Sequence, residues 1–136
     1  MSQTILHKRF KAHTDQLKQL RDWVRESACK AGLADDRIEQ VVIGVNEACM
    51  NIIEHAYNKD SGDIIFDVTQ ETGQLTFQLT DFAKAVDSSC IKPRKLDDIR
   101  PGGLGVHFIH EVMDKVEYQP SEDGKGNIIK MVITTD

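Results

Sequence analysis

The sequence predicts a two-layer α/β sandwich, with helices packed on one face of a mixed sheet. Three segments repeat apolar residues at three- and four-residue spacings, which is the pattern of helices that pack against a core. Two segments around a glycine turn alternate apolar and polar residues, which is the pattern of a β-hairpin. The order strand, helix, helix, strand, strand, helix, strand, strand is typical of a sheet whose helices are grouped on one side.

The length and composition favour one ordinary domain, which we expect to span residues 1–136. A content of 40% hydrophobic and 29% charged residues is typical of a soluble globular protein. No run approaches the roughly 18 apolar residues of a membrane helix, and the N-terminus lacks a basic region followed by an apolar one. We therefore expect a cytoplasmic protein with no membrane contact.

Charge and cysteine content narrow the partners and the chemistry. The net charge of −5 and the isoelectric point near 5.5 argue against nucleic acid, because attraction to a phosphate backbone needs clustered Lys and Arg. Cys29, Cys49 and Cys90 are odd in number and far apart. Their spacing fits neither disulfides nor a C-x-x-C metal site, so free thiols are expected.

The N-terminal part predicts an edge strand over residues 4–10 and then a first helix. The apolar stripe of this helix runs from an expected N-cap at Thr14 to Gly32, a natural residue to follow a helix C-terminus. Asp36 and Glu39 resemble a capping box, which opens a second and longer helix.

The second half predicts four strands and a third helix. The expected strands cover residues 64–69, 75–80, 116–119 and 128–134. Asp81 closes the second of them, and residues 82–101 form a long connection to the third helix. A connection of that length inside a compact domain is usually functional or mobile.

The second helix, which continues through Tyr57, carries a polar ladder on an otherwise apolar segment. Glu47, Asn51 and His55 lie at successive i, i+4 positions and so share one face. A carboxylate removed from water needs a partner, so the ladder should face a hydrogen-bond network or a solvated cleft. In a cleft, Glu47 can deprotonate a nucleophile and Asn51 can bind a hard cation such as Mg²⁺. The alternative is that both side chains lie on a helix edge and bond to neighbouring loops.

Two further features bear on what the ladder does. Gly102, Gly103 and Gly105 stand before a helix, where backbone N–H groups can approach a phosphate closely. This pattern is neither G-x-G-x-x-G nor the Walker motif, and glycine turns before helices are common. Asp81 can accept a hydrogen bond from an exocyclic amine such as that of adenine, or it is a turn or cap residue.

Three motifs in this chain resemble those of a known family. They read E-A-C-M-N-I-I-E-H-A-Y from Glu47, D-F-A-K-A-V-D from Asp81, and P-G-G-L-G-V-H-F-I-H-E-V-M-D-K-V-E-Y from Pro101. Together they resemble the GHKL ATPases, which have the Bergerat ATP-binding fold. Within that group they resemble the stand-alone anti-sigma-factor serine/threonine kinases of bacterial partner-switching systems. The resemblance covers nearly the whole chain and favours the cleft interpretation of the ladder.

The resemblance implies ATP and Mg²⁺ as cofactors. It makes Glu47 the base that activates the attacking hydroxyl, Asn51 the Mg²⁺ ligand and Asp81 the contact to adenine N6. The phosphate-contacting residues that it implies are Gly102, Gly103, Leu104, Gly105 and Val106. His55 belongs to the same motif, but we expect it to be packed and hydrogen-bonded rather than catalytic.

Ala83 and Asp87 are both expected to line the nucleotide site. Of these two positions, Ala83 departs from the family pattern. Glycine usually stands two residues after the adenine-binding Asp, and here that position is Ala83. A positive φ at Ala83 would cost about 1 kcal/mol or more. If the glycine serves only to let the nucleotide approach, the added methyl group would merely weaken binding. Asp87 matches a second acidic position of the anti-sigma subgroup.

The leading hypothesis is a kinase that uses ATP and Mg²⁺ to phosphorylate a serine or threonine of a STAS-type anti-sigma-factor antagonist. It would bind a sigma factor or another regulatory protein exclusively with that antagonist, and the resemblance implies a homodimer. The alternative is a non-catalytic sequestering module of the same fold with weak or no nucleotide binding, which Ala83 motivates. An ATPase with water as the acceptor is disfavoured, because such small domains lack a coupled machine.

Overall fold

The structure, a computed structural model, describes residues 2–57, 62–83, 103–121 and 126–135, with the side chains of residues 103–107 outside this set. In chain order its elements are β1 (Gln3–Lys11), a 3₁₀ turn (Thr14–Gln16), α1 (Leu17–Lys30), α2 (Asp35–Asn51), a π-helical segment (Ile52–Ala56), β2 (Asp63–Glu71), β3 (Gln74–Asp81), α3 (Gly103–Val112), β4 (Lys115–Pro120) and β5 (Asn127–Thr134). This is the predicted order, and the two-layer α/β fold is confirmed. None of the helices in these ranges is long and apolar enough to cross a membrane.

The five strands form one sheet in the order β1-β2-β3-β5-β4. Where a mixed sheet was expected, every hydrogen-bonded pair among these described strands is antiparallel. The position of β5 is the reason. The crossover through α3 makes β3 and β4 run in the same direction, but β5 lies between them and pairs with both.

One face of the sheet is buried and carries the core. Side chains of β2 and β3 alternate between buried and half-exposed, as the hairpin pattern predicted. In these two strands the residues with no exposed surface are Ile64, Phe66, Val68, Leu75, Phe77 and Leu79. They share one cluster with buried helix residues such as Leu20, Val45 and Ile109, so the helices lie on one face as predicted. Full burial of each such side chain contributes about 1.5–3 kcal/mol.

The start of α1 differs from the prediction. Thr14 is not the helix N-cap, because it begins a 3₁₀ turn and the α-helix starts only at Leu17. The His13 Nδ1 atom accepts a hydrogen bond from the backbone N–H of Asp15 at 3.2 Å, so a histidine takes the capping role. The helix end is as predicted, since Gly32 follows α1 with a φ of 84°.

The predicted capping box at the start of α2 is wrong. The helix begins at Asp35, its N-cap residue Ala34 has no side-chain cap, and Asp36 lies inside the first turn. Glu39 reaches across to α1, where Arg25 Nε donates to its carboxylate at 3.1 Å and Nη2 donates at 3.3 Å. The Glu39 carboxylate therefore bonds to Arg25 on the neighbouring helix, in a bidentate pair, and not to the backbone at the start of its own helix.

The described cysteines are free thiols, as predicted. Cys29 is exposed and Cys49 is buried, and Cys90 lies outside the described residues. Burial raises the pKa of the Cys49 thiol to about 12, so this side chain acts as an apolar packing group on α2.

Candidate functional site

The predicted polar ladder begins on the border of the core, along α2. Glu47 and Asn51 lie one helical turn apart, and both side chains are half-buried. Ala48 and Cys49, on the adjoining face, are buried, so the helix presents its ladder away from the core. Neither Glu47 nor Asn51 has a hydrogen-bond or ion-pair partner among the described residues. The alternative, in which both side chains bond to neighbouring loops, therefore has no support within the described residues.

The ladder ends at Asn51, because the helix changes there to the π-helical segment. The backbone N–H of Tyr57 donates to the carbonyl oxygen of Ile52, five residues earlier, at 3.0 Å. Single π turns inside helices occur frequently at functional sites. His55 is exposed in this wider turn. The expectation that His55 is packed is therefore wrong, since the π turn carries it out of the i, i+4 series.

Asp81 ends β3 as predicted, and it is the one carboxylate among the described residues that is buried, with 3% exposure. Its Oδ1 atom accepts hydrogen bonds from the backbone N–H of Ala83 and from Asn127 Nδ2, each at 3.0 Å. Burial raises the pKa of Asp81 above its ordinary value, and the bonds from Asn127 and Ala83 act in the opposite direction. A buried carboxylate is costly without donors, and those of Ala83 and Asn127, which include the backbone N–H of Asn127, hold it in a fixed direction.

The first residue of β5 and the residue before it are two site residues that sequence reasoning missed. Asn127 lies directly opposite Asp81 in the register of β3 and β5, which brings its side chain to the carboxylate. Gly126 precedes it, and a Cβ atom there would lie 2.1 Å from the carbonyl oxygen of Asp81. Only glycine permits so close a backbone approach. The hairpin pattern predicts the pairing of β2 with β3, but no local signal gives the pairing of β3 with β5.

Tyr57 also reaches the end of β3, although the sequence identified it only as a helix end. Its hydroxyl donates to the carbonyl oxygen of Asp63 at 2.6 Å and accepts from the backbone N–H of Phe82 at 2.7 Å. Burial raises the pKa of Tyr57, and the charge of Asp81 raises it further. The hydroxyl is therefore neutral at physiological pH and serves as both donor and acceptor.

Some of the other predicted site residues belong to the part of the chain that the structure describes, and some lie outside it. Ala83 is 6% exposed and belongs to the core cluster. Asp87 and Gly102 lie outside the described residues. Residues 103–106 form the first turn of α3, with their side chains outside the described set. The structure thus brings Asp81 and Ala83 together and places the backbone of the glycine segment at a helix start.

The capacity of this site to bind a metal depends on Asn51. The described residues hold no group of three or more His, Cys, Asp or Glu that could bind a metal. The amide oxygen of Asn51 is nevertheless a hard donor, and Mg²⁺ in phosphate sites commonly takes only one or two protein oxygens, with phosphates and waters completing its shell. The donor set therefore fits Mg²⁺ that arrives with a nucleotide.

Comparison with protein-family models and with curated proteins identifies the family and several relatives of this chain. The family model for the histidine kinase-like ATPase domain matches residues 10–133. The chain is 29% identical over 103 residues to the serine-protein kinase RsbW of Bacillus cereus (strain G9842), a match that covers 70% of this chain. It is 28% identical over 103 residues to the serine-protein kinase RsbW of Bacillus thuringiensis (strain Al Hakam). In both cases the match spans 64% of the relative's own length.

Solved structures agree with the architecture. A chain in the crystal structure of the SiaB-SiaC complex from Pseudomonas aeruginosa is similar with a TM-score of 0.71 and 14% identity, over 96% of this chain and 89% of that one. The structure of the RsbU and RsbW domains of Rv1364c from Mycobacterium tuberculosis is similar with a TM-score of 0.68 and 17% identity, over 94% of this chain and 31% of that one. At such identities the likeness is evidence for the fold alone.

Proposed function

The chain belongs to the histidine kinase-like ATPase domain family, and on that premise we propose that it is an ATP- and Mg²⁺-dependent serine/threonine kinase of a bacterial partner-switching system. The observation that carries the proposal is the arrangement on α2. Glu47 and Asn51 stand one turn apart at the border of the core, without partners in the described part of the chain. The similarity to relatives named serine-protein kinase RsbW supports the reaction class.

In the proposed reaction, Glu47 accepts the proton of a serine or threonine hydroxyl whose oxygen attacks the γ-phosphorus of ATP. The bond from that phosphorus to the β,γ-bridging oxygen breaks, and ADP leaves with the oxygen. A base placed for this transfer contributes about 10²–10⁴-fold in rate. Asn51 would hold Mg²⁺, which when bound neutralises phosphate charge.

The remaining proposed contacts bind the nucleotide. Asp81 accepts a hydrogen bond from the exocyclic amine of adenine, and Ala83 and Asp87 line the same end. The backbone N–H groups of residues 102–106 approach the phosphates at the start of α3, where the positive end of the helix dipole favours an anion.

We assign the proposed partners by the same likeness. The acceptor is a serine or threonine of a STAS-type anti-sigma-factor antagonist, and a sigma factor or another regulatory protein competes with it for the kinase. Similarity to relatives named serine-protein kinase RsbW supports a protein as the phosphate acceptor. A cytoplasmic homodimer belongs to the same proposal, and sedimentation analysis of the purified protein tests the dimer.

The first test is isothermal titration of the purified protein with ADP and ATP, each with and without Mg²⁺. We expect micromolar, Mg²⁺-dependent binding, followed by transfer of labelled γ-phosphate to a STAS-type antagonist from the same genome. Binding of Mg²⁺-ATP without transfer to any such antagonist would overturn the kinase assignment. Absence of nucleotide binding would overturn the nucleotide site as well.

A second candidate function is sequestration of a partner without catalysis, and Ala83 favours it. Its methyl group stands where the family usually has glycine, directly beside the proposed adenine contact. The two functions separate in cells that carry Glu47→Ala. Unchanged control of the partner would favour sequestration, whereas loss of control by a folded variant would favour the kinase.

A further inference from the structure

The hydroxyl of Tyr57 lies at the junction of three segments. It donates to the carbonyl oxygen of Asp63, at the start of β2, and accepts from the backbone N–H of Phe82, just after β3. These bonds are 2.6 and 2.7 Å long, and the residue is 9% exposed. Two short hydrogen bonds that are partly shielded from water hold their partners more firmly than fully solvated ones do.

The bond to Phe82 fixes the backbone on which Asp81 depends. Phe82 lies between Asp81 and Ala83, and the N–H of Ala83 donates to the Asp81 carboxylate at 3.0 Å. The side chain of Phe82 is exposed, with 45% of its surface accessible, so core packing does not restrain this residue. Its backbone N–H group, held by Tyr57, therefore restrains the turn after β3, together with the burial of Ala83 and with the Arg9 guanidinium, which lies 5.3 Å from the centre of the Phe82 ring.

The π-helical segment and a glycine let Tyr57 reach this position. The π turn ends at Tyr57, whose backbone N–H donates to Ile52. A Cβ atom on Gly62 would lie 2.2 Å from the Cε1 atom of the Tyr57 ring, so the chain before β2 can pass only as glycine. Tyr57 thus ties the end of the helix that carries Glu47 and Asn51 to the strand end that carries Asp81.

We infer that Tyr57 is a positioning residue whose hydroxyl sets the direction of the Asp81 carboxylate and, through it, the selectivity for a purine with a 6-amino group. The inference rests on the proposed adenine contact of Asp81. A carboxylate held in one direction accepts a bond from the 6-amino group of ADP and repels the 6-oxo group of IDP. When the N–H of Phe82 loses its partner, the turn relaxes and this discrimination weakens.

The test compares Tyr57→Phe with Tyr118→Phe, because the chain has only two tyrosines. Tyr118 lies on β4, which β5 separates from β3, so Tyr118→Phe removes the other tyrosine hydroxyl without touching the end of β3. Titration with ADP and with IDP gives the ratio of the two affinities for each protein. We expect Tyr57→Phe to lower the preference for ADP by about fivefold, and Tyr118→Phe to keep it.

The ratio separates positioning from a general loss of structure. A variant that is merely less stable loses affinity for both nucleotides equally, and an unchanged ratio for Tyr57→Phe would overturn the inference. Urea unfolding of each variant gives the folded fraction that is needed to correct the affinities.

Hydrogen exchange gives a readout that needs no nucleotide. In the wild-type protein the Phe82 amide should be protected, and in Tyr57→Phe it should exchange faster than amides in the centre of β3. An unprotected wild-type amide would overturn the inference even if the variant failed to fold. Wild-type protein that binds ADP no better than IDP would overturn the proposed adenine contact and the selectivity together, while the exchange data still decide whether the hydroxyl holds the strand end.

Discussion

At the end of β3, Asp81 is 3% exposed and held by hydrogen bonds from Ala83 and Asn127, whereas on α2 Glu47 and Asn51 are half-buried and without partners in the described part of the chain. A group that recognises one fixed edge of a ligand gains from being held in advance, because binding then costs it no conformational entropy. A group that must receive a proton and accommodate a metal with its phosphates has to remain accessible. We therefore expect the two ends to respond differently to substitution.

Glu47→Gln should produce the largest effect, and only at the accessible end. Glutamine keeps the size of the side chain and removes the proton acceptor, so phosphoryl transfer should fall by about 10²–10⁴-fold while ADP affinity stays within about twofold. Single-turnover transfer to the antagonist and calorimetric titration measure the two quantities. Glu54→Gln, which changes a half-buried carboxylate of the π-helical segment, is the control and should leave both unchanged. Wild-type transfer by Glu47→Gln would remove the base from the proposed reaction.

Asp81→Asn should produce the next largest effect, at the held end. The Asn oxygen can still accept from Ala83 and Asn127, but an N–H₂ group replaces the second carboxylate oxygen and repels the adenine amine. We expect ADP affinity to fall by about tenfold or more. Because the variant removes a buried charge, it should resist urea at pH 7 at least as well as the wild type. If affinity and stability fell together, the carboxylate would be structural and the contrast between the two ends would be lost.

Gly126→Ala and Gly44→Ala test how tightly the held end is packed. The new methyl group of Gly126→Ala meets the Asp81 carbonyl oxygen at 2.1 Å, so we expect a loss of about 1–3 kcal/mol in the free energy of unfolding. At Gly44, inside α2, a Cβ atom would lie 3.5 Å from the Cε of Met113, an ordinary contact. Alanine in a helix interior should then add about 0.5–1 kcal/mol. Urea unfolding of both variants measures these changes, and equal effects would contradict the close approach behind Asp81.

Local patterns predicted the elements because each depends on neighbouring residues. The alternation in β2 and β3 on either side of the turn at Gly73 is sufficient to predict the hairpin, and in the structure Gly73 has a φ of 77°. The two wrong caps have different causes. The cap near Thr14 comes from the preceding residue, His13, which is a local contact but not one of the usual N-cap residue types. The carboxylate of Glu39 bonds to Arg25 on another helix, which no local pattern reveals.

The candidate site was predictable only where its residues belong to a motif. Asp81 was identified in this way, but its partner Asn127 depends on the register of β3 with β5, which only the folded sheet sets. Tyr57 was missed because its role depends on a π turn, and the i, i+4 ladder gave no sign of that turn. His55 was misplaced for the same reason.

The pH dependence of stability is the smallest expected effect and the most direct probe of the held end. Burial raises the pKa of Asp81 above its ordinary value of 3.8, so the folded protein binds this proton more tightly than the unfolded chain does. The stabilisation that comes from binding this proton is fully present below the pKa of Asp81 in the unfolded chain. It is lost as the pH rises through the pKa of Asp81 in the folded protein. The free energy of unfolding of the wild type should therefore rise relative to that of Asp81→Asn as the pH falls from 7 towards 4.

Asp63 and Glu117, whose pKa values are lowered by nearby Lys and Arg, act in the opposite direction but occur in both proteins and cancel in the difference. A difference that stays constant with pH would mean that folding does not raise the pKa of Asp81, and would contradict the assignment of this carboxylate to the held, desolvated end of the site.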